Sequence, residues 1–192
     1  MHSAAILAGG RASRFDGCDK GALMVDGRTI RDRQLRLLSR VADDVLIVGG
    51  PAGHVADVIP DSGPLGGVHS ALMHARHDAV FVVACDMPYV TEPLVRFLLE
   101  LAATADIVLP RTASGYHPLC AVYTRACIAP IERRLAAREL KMIDLLADVR
   151  ARVVTGDEIA ECGDVDRLLA NVNTPSDYAA LESFRALQNH KL

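Results

Sequence analysis

Apolar residues fall in short unbroken runs rather than in alternation. Ser3 to Leu7 runs into Gly9-Gly10, and Val45 to Val48 into Gly49-Gly50-Pro51. Val80 to Cys85 ends at Asp86, and Asp106 to Leu109 ends at Pro110. Runs this short, β-branched or aromatic and apolar at successive positions, predict strands covered on both faces, as in a parallel sheet. Between them the spacing turns helical. Thr29 to Val41 sets Ile30, Leu35, Leu37, Leu38 and Val41 toward one side, with Arg31, Arg33, Arg36 and Arg40 outside. Val68 to Ala75 is a shorter helix behind glycines, and Thr91 to Ala103 opens with Thr91 as N-cap and Pro93 in the first turn. Strand, helix and strand at this spacing predict right-handed crossovers and a doubly wound, mostly parallel α/β sheet in three layers.

After Pro110 the rhythm changes. His117 to Tyr123 reads as a strand, Ala126 to Ala137 and Met142 to Leu146 as helices, and Arg152 to Thr155 as a short strand. Pro175 to Leu187 reads as a closing amphipathic helix with Ser176 and Asp177 in its first turn. No internal repeat and no linker rich in Gly, Pro or Ser interrupts the chain, so residues 1–192 are expected to form one domain.

Composition narrows the function classes. With 51% apolar residues among 192 the chain has material for a full core, which excludes wholesale disorder. A formal net charge of -3 argues against coating nucleic acid, and four Phe, four Tyr and no Trp leave little for stacking bases. No apolar run approaches the roughly 18 residues needed to cross a bilayer. The N-terminus lacks the pattern of a secretory signal, so a cytoplasmic location with no membrane partner is expected. Cys18, Cys85, Cys120, Cys127 and Cys162 are odd in number with no Cys-x-x-Cys pair, which argues for reduced thiols over a disulfide framework or a structural zinc site.

The richest segment is Leu7-Ala8-Gly9-Gly10-Arg11-Ala12-Ser13-Arg14-Phe15-Asp16-Gly17-Cys18-Asp19-Lys20. Two glycines after a strand let backbone approach a ligand, and unpaired N–H groups there bind phosphate oxygens. Arg14 and Lys20 add two cations. The Walker loop does not fit, because Lys20 follows Asp19 rather than glycine; the dinucleotide fingerprint does not fit, because the glycines are adjacent. The bland alternative is a glycine turn with surface charges, and the opening strand with two spaced cations favours phosphate. Asp86, directly after a buried strand, stands where ligands bind in open α/β sheets and offers a carboxylate to Mg²⁺, against the alternative that it only caps a turn. Asp61-Ser62-Gly63-Pro64-Leu65-Gly66-Gly67-Val68 opens a helix and reads first as an ordinary loop, second as an anion or base contact.

Together these segments resemble a known family. Leu-Ala-Gly-Gly-x-x-Ser-Arg-x-x-Gly-x-x-Lys, then Gly-Pro-Leu-x-Gly, then Cys-Asp-x-Pro is similar to the molybdenum cofactor guanylyltransferases, the MobA family. His117-Pro118-Leu119-Cys120-Ala121-Val122-Tyr123 and Asn171-Val172-Asn173-Thr174-Pro175 extend the likeness to the last helix. The resemblance implies a Rossmann-like nucleotidyltransferase fold, with residues 1–110 as the nucleotide-binding half and 111–187 as the acceptor-binding half. It implies transfer of GMP from GTP to molybdenum-loaded molybdopterin, with pyrophosphate released and Mg²⁺ as the metal. Leu7, Ala8, Gly9 and Gly10 would contact the nucleotide, and Lys20 its phosphates. Val48 or Gly49, Asp61 and Gly67 would lie near the base and ribose. Asp86 would hold Mg²⁺ and touch the nucleotide, with Arg14 and Lys20 as its catalytic partners. Asn171 and Asn173 would sit on the acceptor side. Proteins that deliver the cofactor, and the molybdoenzymes that receive it, are the implied transient partners. Where the family can carry an Asn after the second strand, this chain has Val48-Gly49-Gly50, so backbone rather than a side chain would read the base. Gly9-Gly10, where cytidylyltransferase relatives tend to carry Ala-Gly, favours guanine over cytosine. The set Arg14, Lys20, Asp86, Asn171 and Asn173 favours an enzyme over a non-catalytic carrier.

Overall fold

The computed structural model describes residues 1–8, 19–50, 55–174 and 176–178. Strand β1 (Ser3–Leu7) leads to a small hairpin of β2 (Met24–Val25) and β3 (Arg28–Thr29), then helix α1 (Ile30–Leu38) and β4 (Asp44–Val48). Helix α2 (Gly63–His74), β5 (Ala79–Ala84) and α3 (Glu92–Leu101) follow. The second half holds β6 (Ile107–Thr112), β7 (Gly115–Tyr116), β8 (Cys120–Thr124), α4 (Ile128–Ala136), β9 (Ala151–Thr155), α5 (Gly156–Ala160) and α6 (Val165–Leu168). The main sheet runs β4-β1-β5-β8-β6-β7, with β9 paired to β6. β1 is parallel to both β4 and β5, and β6 is parallel to β9, whereas β8 runs antiparallel to β5 and β6.

The expected sheet is therefore present, with an antiparallel strand in its middle. Successive residues of β1 face opposite layers, as the pleat requires. Ala4 and Ile6 pack with Leu38, Leu94 and Leu98 from α1 and α3, while Ala5 and Leu7 pack with Leu65, Val68 and Leu72 from α2. A third, small cluster of Val25, Ile30, Tyr89 and Val172 joins the hairpin to the chain beyond the sheet. It positions the candidate site.

Several boundaries differ from the sequence expectation, each for a local reason. Helix α2 begins at Gly63, not Val68, so most of the supposed third loop is helix. Pro64 carries a φ already suited to a first turn. Gly67 then lies where an added Cβ would stand 3.3 Å from Leu7 Cδ1, so its small size seats the helix on β1. The strand expected from His117 starts at Cys120. Before it the chain turns tightly, with Cys120 N–H donating to the His117 carbonyl at 3.1 Å. Pro118 has no N–H for a ladder. Met142–Ala147 is a 3-10 turn rather than an α-helix. Thr91 stands at the start of α3, but its side chain makes no capping bond. Of the arginines on α1, Arg31 pairs with Asp19 and Arg33 with Asp26, so the supposed solvated face is half committed to holding the hairpin region. Residues 176–178 are helical, in agreement with a closing helix. Thr174 Oγ1 accepts from Asp177 N–H at 3.1 Å while Asp177 Oδ2 accepts from Thr174 N–H at 2.8 Å, a reciprocal start signal. Pro175 and residues 179–187 of that expected helix lie outside the described residues.

Candidate active site

Strands that share a direction end at the same edge, so β1, β4 and β5 deliver Leu7, Val48 and Ala84 side by side. The chain beyond β5 turns at once, with Met87 N–H donating to the Ala84 carbonyl at 3.3 Å. Gln34, buried on α1, holds that turn from below. Its amide donates to the Ala84 carbonyl at 2.8 Å and the Met87 carbonyl at 3.0 Å. The turn presents the Asp86 carboxylate upward. Lys20 reaches it from the 3-10 turn Lys20–Ala22, which Asp19 opens by accepting from Gly21 N–H at 2.9 Å.

Lys20 Nζ lies 3.0 Å from Asp86 Oδ2 and 3.0 Å from Asn173 Oδ1. Three segments far apart in the chain thus meet at one ammonium. The Asn173 segment is tied to the same turn, because Val172 N–H donates to the Asp86 carbonyl at 2.9 Å. Around this junction Tyr89 receives two guanidiniums, Arg33 at 5.7 Å and Arg167 at 4.5 Å from its ring centroid. Arg33 also donates to the Pro88 carbonyl at 3.2 Å.

The electrostatics suit a binding site without a protein nucleophile. Burial, followed by the Asp86 and Asp19 charges, pushes the Cys85 thiol up to about 11. Cys120 is pushed to about 12 by burial alone. Thiols held that high stay protonated at neutral pH. Among the described residues no group of three or more His, Cys, Asp or Glu side chains is placed to hold a metal ion. Asp86 and Asn173 nevertheless turn two oxygens on one cation, the Lys20 ammonium. Mg²⁺ in a phosphate site needs only one or two such protein oxygens beside water and substrate. The residues present fit that ion.

The other sequence candidates divide by what their backbone already does. Leu7 and Val48 are buried, and the Val48 carbonyl accepts from Ala8 N–H at 2.9 Å. Gly49 N–H already donates to the Val55 carbonyl at 2.9 Å. Gly49 and Gly50 both have φ of 68°, and a Cβ on Gly50 would stand 2.5 Å from the Ala8 carbonyl oxygen. The unusual Gly49-Gly50 pair thus lets the β4 end lie against the start of the first loop. Asp61 is exposed with φ of 55°, just before α2. Gly67 is buried within α2. Gly9, Gly10 and Arg14 lie outside the described residues.

Beyond Asn173 a cavity of about 360 Å³ opens between the end of β6 and α6. Asn171, Asn173 and Asp177 line one side, and Thr112, Ser114 and His117 another. His117 Nε2 is 3.0 Å from Thr112 Oγ1, which is 2.7 Å from Ser114 Oγ. Burial lowers the His117 pKa, so the ring is neutral at pH 7. Gln34, Tyr89, Thr112 and Ser114 had not stood out among the candidates; His117 had, as the first residue of the His117-to-Tyr123 segment. Gln34 carried one signal, a polar residue inside the apolar stripe of α1.

Comparison with known proteins identifies the relatives of this chain. Residues 4–151 match the MobA-like NTP transferase domain. A protein of Pelotomaculum thermopropionicum named probable molybdenum cofactor guanylyltransferase is 37% identical over 180 residues, covering 90% of this chain and 87% of its own. The molybdenum cofactor guanylyltransferase of Desulfosudis oleivorans is 32% identical over 187 residues, with 93% of each chain covered. Among solved structures, the molybdopterin-guanine dinucleotide biosynthesis protein A of Archaeoglobus fulgidus superposes with a TM-score of 0.82 at 22% identity, over 96% of this chain and 98% of its own. That last likeness speaks to the fold; the sequence matches, spanning most of the length, decide the family. The chain belongs to the MobA-like NTP transferases.

Proposed function

We propose that this chain transfers GMP from GTP to the terminal phosphate of molybdenum-loaded molybdopterin, releasing pyrophosphate, with Mg²⁺ held at Asp86. The reaction belongs in the cytoplasm in this reading, and no helix among the described residues is long and apolar enough to cross a membrane. The observation that carries the proposal is the meeting of Lys20 with Asp86 and Asn173, each at 3.0 Å. A phosphate-binding cation, a metal-binding carboxylate and an acceptor-side amide share one point at the carboxyl edge of the sheet.

Attacker and target are both anionic, so repulsion is a large part of the barrier. Bound at Asp86, Mg²⁺ would withdraw negative charge from the phosphate oxygens. The chain supplies the rest. Ala8, with Gly9 and Gly10 after it, gives the nucleotide an edge without bulky side chains, and Val48, Gly49 and Asp61 border the base and ribose. The Gly49-Gly50 approach to Ala8 and the seat of Gly67 on Leu7 fix the shape of that edge. Lys20 and Arg14 stabilise the charge growing on pyrophosphate. Asn173 and Asn171 orient the acceptor phosphate for in-line attack. That phosphate is ionised at neutral pH, so no base is needed, and the protonated Cys85 does not compete as nucleophile.

The test is pyrophosphate release from purified protein and molybdenum-loaded molybdopterin, with GTP or CTP, with and without Mg²⁺. Release with GTP and Mg²⁺, at least ~10-fold above CTP, is expected; that ratio is about 1.4 kcal/mol of discrimination. Equal rates with CTP would remove the guanine assignment, undiminished rates with metal chelated would remove Mg²⁺, and no release with any nucleotide would remove the enzyme.

A further inference from the structure

Helix α1 buries a stripe of three residues spaced one turn apart, Ile30, Gln34 and Leu38. The outer two are apolar. The middle one is an amide, and it is only 2% exposed. Its nitrogen commits both hydrogens, to the Ala84 carbonyl at 2.8 Å and to the Met87 carbonyl at 3.0 Å. Two carbonyl partners fix which end of the amide is the nitrogen. Its oxygen, Oε1, is buried with no hydrogen-bond partner among the described residues. An unpaired buried acceptor is destabilising, and an apolar side chain of the same length would avoid that cost. The amide is therefore explained by what its two donors do rather than by packing.

Those donors bracket Asp86. One carbonyl lies two residues before it and the other directly after it. The main chain around them is held as well. The Asp86 carbonyl accepts from Val172 N–H at 2.9 Å, and the Pro88 carbonyl accepts from Arg33 Nε at 3.2 Å. The Met87 side chain is buried beside them. With the chain pinned on both sides, the direction of the Asp86 side chain follows from the turn. The same helix also steadies the opposing cation. Arg31 Nη1 lies 2.6 Å from Asp19 Oδ2, and Asp19 opens the turn that carries Lys20. One helix thus sets both members of the Lys20–Asp86 pair.

We propose that Gln34 is a positioning residue for the reaction: through two main-chain carbonyls its amide fixes the Asp86 carboxylate where it can hold Mg²⁺ against the nucleotide phosphates. The proposal rests on the reading of Asp86 as the metal-holding carboxylate. A working carboxylate has to be kept within about 0.5 Å of its productive place. Groups that orient a metal-binding side chain from behind govern metal affinity by roughly 10- to 100-fold. Gln34 touches neither nucleotide nor metal in this role. Its loss is felt in what the metal adds to GTP binding, and not in GTP binding by itself.

The experiment measures the GTP affinity of the full-length protein by calorimetry, once with Mg²⁺ and once with the metal chelated. The ratio of the two affinities is the contribution of the metal. In Asp86→Ala that ratio should collapse toward unity. Gln34→Met keeps the length of the side chain and removes the unpaired oxygen together with the donors. Its ratio should fall at least ~10-fold, with metal-free GTP affinity within about twofold of the wild type. Gln34→Glu, which turns an acceptor oxygen on both carbonyls, should lose as much. Added to Asp86→Ala, Gln34→Met should change the ratio by less than about twofold, because two residues acting through one group are not additive. An unchanged ratio in both Gln34 variants, beside a collapsed ratio in Asp86→Ala, overturns the positioning role. Loss of metal-free GTP binding in both Gln34 variants would make Gln34 a general support of the fold, and overturns it too. If Asp86→Ala itself keeps the ratio, the metal reading of Asp86 falls and the positioning role falls with it.

Discussion

The two ends of the site are built differently and charged differently. At the nucleotide end, parallel strands β1, β4 and β5 stop together, glycines bring backbone close, and Lys20 stands over Asp86. At the other end, the antiparallel β6–β7 turn and the short helix α6 border a cavity whose lining, among the described residues, is of hydroxyls, an imidazole, amides and carboxylates without Lys or Arg. The contrast teaches a division of labour. The Lys20–Asp86 pair stands at the end where the parallel strands stop, and the cavity at the other end offers hydroxyls, amides and carboxylates. Asn173 is the hinge between the two, since it lines the cavity and accepts from Lys20 at 3.0 Å.

That division can be broken first at its centre. Replacing Asp86 with Ala should lower kcat at least ~100-fold, about 2.7 kcal/mol of barrier, with either substrate saturating. An unchanged rate across a Mg²⁺ titration would deny the carboxylate its metal role. Lys20→Ala should next reduce kcat/KM for GTP by about 10- to 100-fold, or about 1.4–2.7 kcal/mol, without lowering the melting temperature. Normal kinetics with a lowered melting temperature would make Lys20 a structural tie. Asn171→Ala should move only the acceptor side, raising the acceptor KM several-fold, on the order of 1 kcal/mol. A matching change in GTP affinity would show that the two ends are not separable.

The smallest effect serves as a control at the far end of the sheet. Asp44 is nearly buried, and burial by itself would raise its pKa. The Arg76 N–H at 2.8 Å, the Ser3 hydroxyl at 2.6 Å and the Arg76 guanidinium at 3.1 Å outweigh that and lower it. A carboxyl with a lowered folded pKa stabilises above its unfolded value, near 4, and loses that contribution as pH falls through the folded value. Asp44→Asn should therefore cost about 1 kcal/mol at neutral pH and flatten the acid limb of the melting curve below about pH 4. Loss of GMP transfer in this variant, with the fold intact, would mean that the sheet transmits more than position.

The same contrast explains what could be read along the chain. Runs such as Val80 to Cys85 announced themselves because a strand buried on both faces has no polar alternation to confuse it. The first-loop glycines, Lys20 and Asp86 stood out by their place, directly after or close behind apolar strand runs, where open α/β sheets bind ligands. Gly63-Pro64-Leu65-Gly66-Gly67 misled, since glycine and proline suggest a loop, yet here proline starts a helix and Gly67 seats it on Leu7. Gln34 could be seen as an intruder on an apolar stripe, but its partners, the Ala84 and Met87 carbonyls, lie 50 and 53 residues away. The cavity was the least legible, because Thr112, His117, Asp166 and Asn171 are common polar residues whose meaning comes only from their proximity.

The hydrogen bond that Val172 N–H donates to the Asp86 carbonyl, at 2.9 Å, carries a consequence for redesign. It fastens the Asn171–Asn173 segment to the Asp86 turn by main chain, while the buried Val172 side chain packs the same segment against Val25, Ile30 and Tyr89. Exchanges in the β6–β7 turn or on the surface of α6 leave that main-chain bond in place, whereas a change of chain length between α6 and Asn173 would move Asn173 away from Lys20.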